Sequence, residues 1–366
     1  MAQNERLQAL TDAGVAVWLD QIHREMIESG DLKTLVDEKS LRGETSNPAI
    51  FEKAIMGGDA YDDKIEKFAG EGLDARETYL RIAIEDVQAA CDVMRPVYDE
   101  LDGDDGYVSI EVEPAVAHDT EATAKQAREL WEAVDRPNVM IKIPGTTEGV
   151  QAIEDATADG INVNVTLLFS VESYENIAEA YIRGLERRKE AGENLDVHSV
   201  ASFFVSRVDS EVDKRLEAAG KEDLVGKAAI ANAQAAYQSF KNLFHGERFA
   251  KLKEAGAPVQ RPLWASTGVK DERYDDTKYV AGLVAPETVN TMPLDTLEAC
   301  AEKLEVEGAT ADQDPTATLK ELADAGIDME DVTKTLLDEG IDKFVEPFDK
   351  LIAGIEEQMS KVGQGA

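Results

Sequence analysis

The sequence predicts one α/β domain, a (β/α)8 TIM barrel spanning residues 1–366 with a helical C-terminal extension at about 294–366. Three observations predict it. Short β-branched runs alternate with long stretches of helical periodicity, the pattern of a parallel sheet with crossover helices. Eight such runs can be counted. No dinucleotide fingerprint marks the switch point that a doubly wound sheet would need. A chain of 366 residues also leaves room for two domains, but no internal repeat, low-complexity block or long linker divides it.

In chain order the expected strands are VAVWLD (15–20), RGETSNP (42–48), YVSIEVEP (107–114) and VMIKIP (139–144). They continue with INVNVTLLF (161–169), SVASFFV (199–205), RPLWAS (261–266) and ETVNTMP (287–293). Between the second and third strands, Tyr79, Ile82, Ala83, Val87 and Ala90 form an apolar helical stripe suited to face a sheet. Asp119 or Thr120 can cap the next helix and Thr146 or Thr147 the one after, because their side-chain oxygens accept from orphan N–H groups. Asp295 with Glu298 reads as a capping box, and Asp314 with Pro315 as a cap and first helical position. In the last helix, Phe344, Phe348, Leu351, Ile352, Ile355 and Met359 recur at helical spacing and are expected to pack on the barrel wall.

Composition excludes several function classes. With 75 acidic and 38 basic side chains the formal charge is −37, a field that repels nucleic-acid phosphates and anionic membranes. Cys91 and Cys300 form no C-x-x-C pair, so neither a disulfide framework nor a zinc site is expected. The opening MAQNERLQALTDAG has no basic region followed by an apolar one, and no run approaches the length of a membrane span; a cytoplasmic protein is expected. Gly70, Gly72 and Ala75 match G-x-G-x-x-A only on paper, because they follow a helical segment. Asp102, Asp104 and Glu113 lack the central glycine of a calcium loop, Tyr107 standing there instead. His23, His118, His198 and His245 are scattered, so no metal is anticipated.

What remains is a coincidence of polar residues toward the C-terminal ends of strands, where a barrel exposes its active face. Asp20, Asn47, Glu111, Lys142, Asn164, Thr166, Ser202 and Ser266 fall there. Lys142 stands in an otherwise apolar run, and a lysine so placed must be paired or functional. Desolvation favours the free base of an amine, which is the form that attacks a ketone. An ion pair with Glu111 or Asp20 would explain the lysine equally well. Asp20 and Glu111 could do acid/base work or be solvated strand ends; Asn47 could be a turn residue, and Asn164 and Thr166 satisfied inner polars.

The segments TSNPAIF, VSIEVEP, NVMIKIPGT, NVNVTLLFS, HSVASFFVSRVD and RPLWASTGVK occur in the order of the barrel-strand motifs of the transaldolases. The chain resembles the longer, actinobacterial-type form of that family from about Ala16 to about Lys343. The resemblance implies that Lys142 is the Schiff-base lysine and Asp20 the acid/base at the C4 hydroxyl. It implies that Glu111 and Thr166 hold a proton-shuttling water, and that Asn47, Asn164 and Ser202 bind the dihydroxyacetone portion. Arg207, assisted by Ser266, would clamp the substrate phosphate. Shorter relatives carry an arginine where this chain has Gly268, and Lys270 is the nearest available substitute.

The implied reaction moves a dihydroxyacetone unit reversibly from sedoheptulose 7-phosphate to glyceraldehyde 3-phosphate, giving erythrose 4-phosphate and fructose 6-phosphate, in the pentose phosphate pathway. The protonated imine is the electron sink, so no cofactor is implied. Small-molecule sugar phosphates are the expected partners, with neither nucleic acid nor membrane, and either a monomer or a homodimer is compatible. One rival is a Schiff-base aldolase; small fructose 6-phosphate aldolases of similar fold tend to carry Gln where Glu111 stands and Tyr where Phe204 stands. Another is a catalytically inactive barrel kept for binding.

Overall fold

The computed structural model describes residues 3–362 and contains every strand the sequence predicts. These are β1 (Val15–Asp20), β2 (Leu41–Thr45), β3 (Tyr107–Glu111), β4 (Val139–Pro144), β5 (Val163–Leu168), β6 (Ser199–Phe204), β7 (Gln260–Ala265) and β8 (Thr288–Met292). Each pairs in parallel with its sequence neighbours, and β8 returns to β1, so the barrel closes in chain order. Closure leaves no unpaired sheet edge.

The second strand stops at Thr45 instead of running to Pro48, because Asn47 turns the chain and caps the helix Pro48–Met56 with proline at its start. Asp119 and Thr146 cap their helices as expected, accepting from Ala122 N and Gly149 N. The Asp295–Glu298 capping box does not form. Only Pro293 separates β8 from the helix Leu294–Lys303, so Asp295 falls inside the first turn and no side chain caps that helix. Asp314 does accept from Thr316 N at 2.9 Å, but its helix begins at Thr316, one residue later than expected.

Side chains alternate between the barrel interior and the helical layer. The stripe Tyr79, Ile82, Ala83, Val87 and Ala90 is buried on the helix Ala75–Glu100. At the N-terminal end of the barrel, Trp18 lies so close to Gly43 that a Cβ there would sit 2.3 Å from the indole ring. The Trp18 Nε1–H donates to Asp105 at 2.9 Å, and Arg261 donates to the same carboxylate at 2.9 and 3.2 Å. A packed cluster whose charges are paired therefore closes the barrel interior at that end, beneath a surface hollow of about 420 Å³.

Across the opposite mouth runs the C-terminal helix Met329–Val362, packed on the helices after β2 and β6 and on the end of β5. Its Gly340 abuts Leu167 and Phe169, and its Phe348 meets Tyr79 edge-on with centroids 5.4 Å apart. Phe344, Phe348, Leu351 and Ile355 are buried, and Ile352 and Met359 are partly so. The expected packing on the barrel is present, but the helix covers the mouth as well as the wall. Among the described residues no helix is long and apolar enough to cross a membrane.

Candidate active site

The strand register sets Glu111, Lys142 and Asn164 side by side on β3, β4 and β5. Lys142 is 4% exposed, and its Nζ lies 3.2 Å from Glu111 Oε2 while donating to the Ser46 carbonyl at 2.9 Å. The ion-pair explanation of the lysine is thus realised with Glu111 and not with Asp20. It does not compete with a chemical role, because the pair sits at the C-terminal mouth of the barrel beside a cavity of about 170 Å³.

Asp20, Asn47, Lys142, Thr166, Ser202, Phe204, Arg207, Ser266 and Lys270 all line this cavity. Glu111 and Asn164, though anticipated, are absent from the lining. Asn164 is fully buried, accepting from Ser202 Oγ at 2.7 Å and donating to Ser109 Oγ at 3.0 Å, so it orients a lining residue. Asn47 commits its side-chain oxygen to Ile50 N at 3.0 Å, which leaves the amide nitrogen as the end that can donate.

Burial raises the carboxyl of Asp20 above the ordinary range, opposed by the charge of Lys142 and by a 2.7 Å hydrogen bond from Thr45. Glu111 is raised by burial too, opposed by Lys142 and reinforced by the charge of Asp20. Carboxyls held in this direction retain a proton closer to neutral pH, which suits acid/base exchange. Thr166 Oγ1 is buried and has no hydrogen-bond partner among the described residues, and the same holds for Arg207 Nη1. β5 shifts register around Thr166, and the next residue, Leu167, has φ 62°.

The cationic side of the cavity is carried by Arg207 and Lys270. The Arg207 guanidinium lies over the Phe204 ring at 5.3 Å, and burial lowers its pKa, opposed by Glu339 and Asp20. Ser266 (φ 55°) lies 3.0 Å from Ser206 through their hydroxyls. The loop that follows is tied to the helix Ser206–Ala218: Tyr274 donates to Asp213 at 2.6 Å and Lys278 to Asp209 at 2.7 Å. That tether holds the segment bearing Lys270 beside the helix that begins at Ser206 and carries Arg207.

Thr45, Thr291, Pro293 and Phe344 also line the cavity and escaped the sequence reading. Thr45 bonds both Asp20 and Thr291, each at 2.7 Å, and its place just before Ser46-Asn47-Pro48 was the available signal. Phe344 belonged to a helical stripe indistinguishable from core. Its ring centroid lies 5.7 Å from Lys142 Nζ. Among the described residues no cluster suited to hold a metal ion is found.

Fold and site together define a (β/α)8-barrel protein with a buried amine–carboxylate pair at its C-terminal mouth and two cations on one wall. Residues 17–355 match the family described as Transaldolase/Fructose-6-phosphate aldolase, and the chain belongs to that family. It is 50% identical to a transaldolase of Mycolicibacterium smegmatis, over 98% of this chain and 99% of that one. It is 50% identical to a transaldolase of Thermobifida fusca, over 97% and 98%. Identity to a transaldolase of Mycobacterium tuberculosis is 48%, over 96% of both chains.

Proposed function

We propose that the chain is a transaldolase that moves a dihydroxyacetone unit from sedoheptulose 7-phosphate to glyceraldehyde 3-phosphate, and back, in the pentose phosphate pathway. The observation that carries this reading is the Lys142 amine, 4% exposed and 3.2 Å from Glu111, beside a cavity with cations on one wall. Lys142 attacks the ketone carbonyl. Glu111 and Thr166, whose hydroxyl has no hydrogen-bond partner among the described residues, hold the water that carries protons as the carbinolamine forms and loses water. Asp20 takes the C4 hydroxyl proton as the C3–C4 bond breaks, and the bond electrons pass into the iminium. No cofactor or metal is needed for that step.

Asn47 and Ser202 bind the dihydroxyacetone portion, with Asn164 fixing Ser202 from behind. Arg207, Ser266 and Lys270 hold the phosphate, and the positive charges of Arg207 and Lys270 reverse locally the field of a chain with net charge −37. Glu111 and Phe204, in place of the Gln and Tyr of small aldolases, favour transfer over release. The buried free thiols of Cys91 and Cys300 suit a reducing cytoplasm. Sugar phosphates are the partners, without nucleic acid or membrane, in a monomer or homodimer.

The test is a coupled assay of glyceraldehyde 3-phosphate production from fructose 6-phosphate, with and without erythrose 4-phosphate. Production should depend on the acceptor and fall at least about a thousandfold in Lys142→Ala. Equal production without acceptor would make the protein an aldolase, and none at all in the unmodified chain would leave an inactive barrel. In the same assay Lys270→Ala should raise KM for the phosphorylated substrates with kcat little changed. An unchanged KM would remove Lys270 from the phosphate site.

A further inference from the structure

We propose that Phe344 determines transfer specificity: its ring, carried over the barrel mouth by the C-terminal helix, keeps water from the lysine-bound three-carbon intermediate. This rests on the Schiff-base reading of Lys142. Phe344 is 6% exposed, lines the same cavity as Lys142 and Thr166, and places its ring centroid 5.7 Å from the amine. The ring cannot drift easily, because both flanking turns of the helix are anchored. One turn before it, a Cβ on Gly340 would lie 3.1 Å from Leu167 Cδ2, so the helix is seated directly on the end of β5. One turn after it, Phe348 is 2% exposed against Tyr79.

The chemistry shows what such a ring controls. After C3–C4 cleavage the lysine nitrogen carries the enamine of dihydroxyacetone, which has two fates. In transfer, the enamine carbon attacks the acceptor aldehyde, a C–C bond forms, the iminium returns, and the new alkoxide takes a proton from Asp20. In release, the same carbon takes a proton to give an iminium, and water adds to the iminium carbon with loss of one of the water's own protons. The carbinolamine then breaks its C–N bond, freeing dihydroxyacetone and the lysine amine. Release needs water at the three-carbon intermediate itself, whereas transfer needs it only after the new C–C bond has formed, when hydrolysis of the product iminium frees the ketose and the lysine amine.

Most of the cavity wall is polar, including Asp20, Thr45, Asn47, Thr166 and Ser202, and would hold water next to the enamine. An apolar ring at the amine removes part of that water, and its π-face also favours the cationic iminium through which either route passes. A purely structural role for Phe344 would lower all activity together. A specificity role changes the ratio of the two products.

The experiment compares the unmodified chain with Phe344→Ala and Phe344→Leu. It measures dihydroxyacetone released from fructose 6-phosphate without acceptor, relative to transfer onto erythrose 4-phosphate, with borohydride trapping on Lys142 in each case. The ratio should rise about tenfold in Phe344→Ala and less in Phe344→Leu, which keeps apolar volume but no ring. Trapping with an unchanged ratio in Phe344→Ala overturns the proposal alone. Absence of trapping in the unmodified chain overturns the Schiff-base reading and the proposal with it. Should circular dichroism show Phe344→Ala unfolded, the ratio in Phe344→Leu decides by the same criterion.

Discussion

Glu44 is fully buried on β2, and neither of its carboxyl oxygens has a hydrogen-bond partner among the described residues. Burial, aided by the charge of Asp86, lifts its carboxyl well above the usual range. The folded state therefore binds a proton that the unfolded chain has lost. The stabilising share of Glu44 is present below the ordinary carboxylate pKa and disappears as pH rises through the raised value. Glu44→Leu should raise unfolding free energy at about pH 8 by roughly 1–3 kcal/mol, with a smaller gain at about pH 5. Urea denaturation at both values checks this, and a gain that does not vary with pH would refute it. In the sequence Glu44 is one polar letter in RGETSNP, and alternation alone cannot say that it meets Asp86 and not solvent. Lys142 was legible for the opposite reason: its neighbours in VMIKIP are apolar, so its burial could be read locally.

The strands were legible as elements because β-branched runs bounded by turns have few alternatives once they alternate with helices. Asp119 and Thr146 were legible because a cap depends only on residues within one turn. The Asp295 cap was not, since the position of Pro293 after β8 decides where that helix begins, and this is a property of the barrel's closure. The C-terminal stripe shows the same limit: spacing identifies the apolar face but not which neighbour it covers, so it predicts packing on the wall and leaves a covering role for Phe344 illegible. Close approach between strands is equally invisible in one dimension. Gly43 of β2 makes room for the Trp18 indole of β1, and Gly43→Ala would force a Cβ within 2.3 Å of a ring that is 0% exposed. The substitution should cost about 1–3 kcal/mol or more of stability, read as a lower urea midpoint at unchanged slope. A midpoint that does not move would mean that the strands can separate without penalty.

For the whole molecule the dominant fact is a formal charge of −37. Surface lysines and arginines are largely paired already, as in Lys33–Asp37, Arg136–Asp92 and Lys350–Glu346, so the excess carboxylates repel one another. Salt screens that repulsion, with a Debye length of about 30 Å at 0.01 M and about 3 Å at 1 M. The buried pair Arg24–Asp86 and the partly buried pair Lys278–Asp209 are less open to such screening. The melting temperature should therefore rise by about 5 °C between these two salt concentrations. A flat or falling profile by calorimetry would mean that lost attraction outweighs relieved repulsion. The helix over the barrel mouth has a different consequence, one of time. A ribosome makes the chain from its N-terminus, so every strand and the Lys142 amine on β4 emerge before Phe344 does. A nascent barrel can close around Lys142 while the cavity beside it still stands open, and the wall that completes that cavity arrives last.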